Sequence, residues 1–150
     1  MNCVSLFMFG LLLNGVASQV ADTRKWNTVE ILCGKLVRSE EIPIKGKGNS
    51  FADKTTPIKR ANIRLYLRAE ETACCEGQQP AAETVTGREG SFQFNKAVPG
   101  DYWIVANIEG KDYRLAISYA PDNKSDAKCS DLLYALKKDQ LQLERVITVY

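Results

Sequence analysis

Thr86-Gly87-Arg88-Glu89-Gly90-Ser91-Phe92-Gln93-Phe94-Asn95-Lys96-Ala97-Val98-Pro99-Gly100-Asp101-Tyr102-Trp103-Ile104-Val105 is the stretch that decides the fold. Phe92 and Phe94 are two residues apart, so an extended chain puts both on one face. Gly87-Arg88-Glu89-Gly90 in front of them reads as a tight turn, because glycine accepts positive φ without steric cost. Pro99-Gly100 reads as a second turn, with proline presetting φ and glycine following it. From Asp101 to Ile108 the alternation resumes. Tyr102, Ile104, Ala106 and Ile108 point inward, and Trp103, Val105 and Asn107 point outward.

The same period extends to both sides. Glu109-Gly110 turns the chain into Tyr113, Leu115, Ile117 and Tyr119, which again share a face. Upstream, Ile63, Leu65 and Leu67 oppose Asn62, Arg64, Tyr66 and Arg68, as in a half-buried strand. Thr28 to Val37 is apolar on both faces and reads as a strand sandwiched by other structure. Glu83 to Thr86 is short and strand-like. Leu141 to Val149 is the last strand, with a slip at Glu144-Arg145 that reads as a bulge. Ser39 to Pro57 contains Lys45-Gly46-Lys47-Gly48-Asn49-Ser50 between two prolines and is expected to be a long exposed loop. Ser125 to Lys138 is expected to be the one helix, since Cys129, Leu132, Leu133 and Leu136 fall at i, i+3, i+4 and i+7. Short alternating strands separated by regular turns point to an all-β, seven-stranded antiparallel sandwich, with one short helix before the last strand.

The 150 residues suit one domain, and 45% apolar with 25% charged residues is ordinary for a globular protein. A net charge of +2 supplies no concentrated basic face, so no nucleic-acid partner is expected. Histidine is absent, which removes the commonest general base and the commonest metal ligand. Residues 1–21 carry no charge, Val4 to Leu13 are almost all apolar, and Val16-Ala17-Ser18 offers small residues for a peptidase. Residues 1–18 are therefore expected to be a secretory signal peptide, although no basic residue precedes the apolar run. Residues 19–150 would then form a single secreted or periplasmic domain. The apolar run is shorter than the roughly 20 residues a membrane span needs, so no span is expected after signal removal.

Beyond Cys3, four cysteines remain: Cys33, Cys74, Cys75 and Cys129. Such an even number in an exported chain points to two disulfides, for which three connectivities exist. A bond between the neighbours Cys74 and Cys75 would close a small ring. The expected pairing therefore joins one of them to Cys129 and the other to Cys33. Adjacent cysteines do not suit a zinc loop, and no metal or cofactor is expected.

The Thr86–Val105 stretch resembles the T-x-x-x-G-x-F-x-F … P-G-x-Y core of carboxypeptidase regulatory-like domains, which are similar to the transthyretin (prealbumin) sandwich and to Cna-B repeats. Gly34-Lys35-Leu36 resembles that family's opening G-x-V strand, and Ala61-Asn62-Ile63-Arg64-Leu65 its A-x-V-x-L strand. The resemblance spans roughly residues 29–119. It implies a prealbumin-like Greek key in which Gly90, Phe92, Phe94, Pro99, Gly100 and Tyr102 serve the architecture. Such a motif says little about chemistry. The Ser39–Pro57 segment and the cysteine-bearing segment before the last strand depart from the family pattern.

Three function classes follow. The first is a secreted, non-catalytic binding or structural module for a protein or a carbohydrate. Its expected surfaces are the outward face Tyr66, Trp103 and Val105 and the lysines Lys45 and Lys47, the latter suited to an anionic partner. The second is a hydrolase related to transthyretin-like enzymes. That family's catalytic histidines have no counterpart here, and the adjacent pairs Glu40-Glu41 and Glu70-Glu71 point to opposite faces of a strand. No catalytic residue is therefore assigned. The third is an adhesin or pilin-type stalk with an isopeptide at Lys35, but residues 141–150 hold no Asn or Asp to complete the bond. Asn123-Lys124-Ser125 is an N-glycosylation sequon.

Overall fold

The computed structural model describes residues 27–68 and 74–146. The expected signal peptide lies outside the described residues. Among them run ten strands: β1 (Thr28–Val29), β2 (Cys33–Pro43), β3 (Phe51–Pro57), β4 (Asn62–Leu67), β5 (Ala82–Val85), β6 (Ser91–Gln93), β7 (Gly100–Ile108), β8 (Lys111–Tyr119), β9 (Leu132–Lys137) and β10 (Gln140–Arg145). One sheet has the order β1-β8-β7-β4-β5; the other has the order β10-β9-β2-β3, with β6 also paired to β2. The molecule is all-β and sandwich-like. Three expectations change: the strands number ten, not seven; β1–β8 and β2–β9 pair in parallel; and a single turn of 3-10 helix, Cys129–Asp131, replaces the expected helix.

The alternating pattern places the core as expected. Phe92, Phe94, Tyr102, Ile104, Ile63 and Leu65 are all buried in one cluster, together with Leu36, Leu132, Tyr134, Leu136 and Leu141 of the β2-containing sheet, to which Phe92 also belongs through β6. The motif residues act through the backbone. Gly90 has a φ of +73°, and a Cβ there would run into the Leu36 carbonyl oxygen. That approach is used: the Leu36 N–H donates to the Gly90 carbonyl at 2.8 Å, and the Leu36 carbonyl accepts from the Ile58 N–H at 3.0 Å. Side by side along one edge of β2, β6 pairs its first residues and β3 its last. Thr86 ties down the start of β4, its Oγ1 accepting the Ala61 N–H at 2.8 Å. The Tyr102 hydroxyl donates to the Val98 carbonyl at 2.6 Å and closes the Pro99-Gly100 corner. Gly34 makes room for an aromatic ring, since a Cβ there would sit 2.7 Å from Cε2 of Tyr134. The Tyr134 ring also packs edge-on against Phe92, with centroids 5.0 Å apart.

The expected helix is instead a strand and hairpin, for a reason visible in the same residues. Leu132, Tyr134 and Leu136 also satisfy a period of two, and all three enter the core. β9 lies between β2 and β10, so sheet pairing on both sides overrides its helix-compatible spacing. Lys138 and Asp139 turn it into β10 with φ of 47° and 62°, the two left-handed positions of a type I′ hairpin turn. Neither is glycine, so the turn carries no strong sequence signal.

The expected Ser39–Pro57 loop is mostly a ribbon. β2 continues to Pro43 and pairs with β3 from Val37↔Pro57 out to Pro43↔Phe51. Only residues 44–50 turn, closed by the Ile44 N–H donating to the Ser50 carbonyl at 2.9 Å. β9 follows β2 only as far as Arg38, so beyond that point the ribbon has no third strand on that side. Every residue of β3 is exposed. Charged and polar side chains on both faces hide such a strand from a reading that looks for apolar alternation.

The disulfides also differ from expectation. Cys33 pairs with Cys129, their Cα atoms 5.1 Å apart, and Cys74 pairs with Cys75. The parallel β2–β9 pairing sets Lys35 beside Leu133, which brings the residues just upstream on both strands together. Without β9 as a strand, that proximity has no trace in the sequence.

Candidate functional site

The two sheets present two outer faces, and they are finished differently. On the β4–β7 face, Tyr66 and Val105 are buried and Trp103 is half-buried, beneath the paired Cys74 and Cys75. Arginines close the remainder. The Arg68 guanidinium lies 5.0 Å from the Trp103 ring centroid and that of Arg64 lies 5.7 Å from Tyr66. Arg64 also forks onto both carboxylate oxygens of Asp112 at 3.0 Å each, and Asn107 donates to the same carboxylate at 2.7 Å. The expected exposed patch of Tyr66, Trp103 and Val105 is thus corrected to a small second core. The Cys74–Cys75 loop buries the apolar side chains, which are costly to leave in water.

The outer face of the other sheet is open. Along β2, Leu36 enters the core, so Val37, Ser39 and Glu41 point outward. Pairing sets Thr55 beside Ser39 and Asp53 beside Glu41. On β9, Ala135 and Lys137 share this side with Gln142 and Gln140 of β10, their register partners. The floor is buried although it faces away from the core: Val37, Ser39 and Ala135 are 5%, 8% and 0% exposed. Above it lies a groove of about 550 Å³ lined by Ser39, Glu41, Asp53, Lys137, Gln140 and Gln142, with Glu40 and Lys138 at its rim.

Ion pairs join the ribbon to the β9–β10 hairpin. The Lys137 ammonium lies 2.9 Å from Asp53 and 2.9 Å from Glu144, and that of Lys138 lies 3.7 Å from Glu41. The hydrogen-bonded carboxylates, Asp53 first and then Glu144, hold the Lys137 ammonium well above lysine's ordinary range. Lys138 and Glu41 are largely solvated, so that contact orients the wall more than it stabilises it. One polar atom is left over. The Ser39 hydroxyl is buried, lines the groove, and has no hydrogen-bond partner among the described residues. A buried hydroxyl without a partner costs about 1–3 kcal/mol.

Lys45 and Lys47 stand exposed at the ribbon's turn, beyond the groove. The Ser39–Pro57 segment as a whole holds three lysines and three carboxylates, so it is not a basic arm. Glu40 and Glu41 lie on opposite faces of β2, as their adjacency requires, while Glu70-Glu71 lies outside the described residues. The sequence marks none of Ser39, Asp53, Lys137, Gln140 and Gln142 as a site residue. They come from three separate stretches that only the β2–β9 pairing brings together. The one local signal is the alternation of Gln140, Gln142 and Glu144 with Leu141 and Leu143.

Among the described residues, no group of three His, Cys, Asp or Glu side chains could hold a metal ion. No helix of the described residues is long and apolar enough to cross a membrane. No protein-family model, curated protein or solved structure matches the chain.

Proposed function

We propose that this protein is an exported, non-catalytic binding module of the carboxypeptidase regulatory-like type, and that it binds through the groove between the β2–β3 ribbon and the β9–β10 hairpin. One observation carries the assignment of the site: an unpartnered, buried hydroxyl at Ser39 in a groove lined by carboxylates and amides. Donors and acceptors converging in a concavity of this size are what a small ligand or a polymer segment requires. The Cys33–Cys129 disulfide and the signal-like first 18 residues support export. The non-catalytic reading rests on the absence of histidine and on the ion pairs that already engage Lys137, Asp53 and Glu41.

The test is a combined glycan and peptide array, probed with the wild type, with the double variant Glu41→Gln/Gln142→Ala in the groove, and with Arg68→Ala on the opposite face. The expected result is a set of signals lost in the groove variant and retained in Arg68→Ala. Signals that survive the groove variant and vanish with Arg68→Ala would move the site to the other sheet.

A further inference from the structure

We infer that the groove takes a neutral polyhydroxylated ligand, an uncharged oligosaccharide segment, with Phe51 as its stacking platform. The inference rests on the groove being the binding site, and adds the chemical class of the ligand.

Three observations select that class. The first is charge. Three carboxylates, Glu41, Asp53 and the Glu144 that flanks Lys137, stand on this face against two ammoniums, Lys137 and Lys138. Both ammoniums already face carboxylates, Lys137 at 2.9 Å on two sides and Lys138 at 3.7 Å. An anionic polymer would meet an excess of negative charge within the groove, where both ammoniums are engaged. A cationic peptide would have to displace Lys137 and Lys138 from Asp53 and Glu41. An uncharged ligand meets neither cost.

The second is the kind of polar group. Gln140 and Gln142 each bring an amide that both donates and accepts, the carboxylates accept only, and the Ser39 hydroxyl does both. A sugar hydroxyl also does both, and neighbouring hydroxyls can donate together to the two oxygens of one carboxylate. The unpartnered Ser39 oxygen lies just beneath the groove surface, and a small shift of the side chains over it would let such a hydroxyl satisfy it.

The third is an apolar surface at one end. Phe51 is 60% exposed and sits two residues from Asp53, so both side chains point to the same side of β3. Its register partner is Pro43, whose ring extends the apolar strip across the ribbon. An exposed aromatic beside hydrogen-bonding groups matches the two kinds of surface on a pyranose ring, C–H faces and O–H edges. Four strands at about 4.8 Å spacing make the face about 15 Å wide, which suits a short oligosaccharide better than one sugar.

The experiment is native affinity electrophoresis in gels containing xylan, glucomannan, laminarin or hydroxyethyl cellulose as neutral probes, and alginate as the anionic one. Oligolysine binding is followed in parallel by fluorescence anisotropy. Wild type, Phe51→Ala, Asp53→Asn, Gln142→Ala and Arg68→Ala are compared, and each is first shown to unfold at the wild-type midpoint. We expect retardation by at least one neutral glycan, weakened at least tenfold by Phe51→Ala and by Gln142→Ala and unchanged by Arg68→Ala. Binding of oligolysine or alginate alone, lost in the groove variants, would overturn the ligand class and leave the groove as the site. No groove-dependent binding to any probe would overturn both. Neutral-glycan binding that ignores Phe51→Ala would remove the platform and with it the inference.

Discussion

Strand β2 lives in two environments along its length. From Cys33 to Arg38 it is flanked by β6 and then β3 on one side, and from Lys35 onward by β9 on the other. From Ser39 to Pro43 it pairs only with β3, and residues 40–43 are exposed. The first half is held by contacts that tolerate no extra atom, at Gly34 against Tyr134 and at Gly90 against Leu36. The second half is held by backbone pairing and by lysines reaching from β9 and the turn after it. A strand that outruns its sandwich keeps its hydrogen bonds and loses its core, and both of its faces become available for other work. Here one face walls a polar groove.

The sharpest way to break this contrast is to add one methyl group at each end. Gly90→Ala forces a Cβ into the Leu36 carbonyl at a positive φ and should cost about 4 kcal/mol. Gly46→Ala, in the ribbon turn, also sits at a positive φ of 84°, but nothing lies within 4 Å of the added atom. It should cost only about 1 kcal/mol. Urea midpoints for the two variants would measure the difference directly. Equal losses would mean that the turn is as constrained as the sandwich.

Next in size is the bond that anchors the inner half. Replacing Cys33 and Cys129 together by alanine opens a link between residues 96 apart in sequence and should lower stability by about 3 kcal/mol. Peptide mapping of non-reduced protein should recover Cys33 joined to Cys129. Recovery of Cys129 joined to Cys74 or Cys75 would contradict the parallel β2–β9 register.

A smaller effect separates the two orphaned hydroxyls. Both Tyr134 and Ser39 bury an oxygen without a partner among the described residues. Tyr134 lies in the core beside Gly34, where no ligand reaches, so Tyr134→Phe should be neutral or should stabilise by about 1 kcal/mol. The same burial drives its phenol upward from the ordinary 10.0. Tyr102 shifts in the same direction, mainly by burial, and Lys137 through its carboxylates. A raised native pKa means that above pH 10 the unfolded chain releases protons the native state keeps. Stability from these groups is therefore complete below pH 10 and falls above it, by up to about 1.4 kcal/mol per pH unit for each group. Tyr134→Phe should flatten that alkaline limb in reversible denaturant titrations at pH 9–11. An unchanged slope would mean the phenol titrates with its ordinary pKa.

The inner half and the core were legible because burial leaves a period in the sequence. Ile63 and Leu65, Phe92 and Phe94, Tyr102 and Ile104 all alternate and are all buried. Turns with glycine or proline were legible for the same kind of reason, since Gly90 and the Pro99-Gly100 corner sit where the backbone needs them. The groove was not legible. Its residues are polar, belong to three stretches, and meet through a parallel pairing whose strand β9 carries a helix-compatible Leu132, Leu133 and Leu136 spacing. Lys138-Asp139 makes a hairpin turn without glycine. Glu40 to Pro43 and β3 alternate nothing apolar, so a ribbon reads as a loop. The outward aromatics failed in the opposite sense: Tyr66 and Val105 alternate properly, yet what covers them is a cystine loop that no periodicity announces.

The proposed ligand site is the open face of the β10-β9-β2-β3 sheet, and not the closed face over Tyr66 and Val105. A ¹H–¹⁵N NMR titration of the protein with a hexasaccharide of whichever neutral glycan retards it tests this directly. Shifts are expected to concentrate at Ser39–Glu41, Phe51–Asp53 and Lys137–Gln142, with Tyr66–Arg68 and Trp103 unmoved. Shifts centred on Tyr66, Arg68 and Trp103 with the groove silent would contradict it.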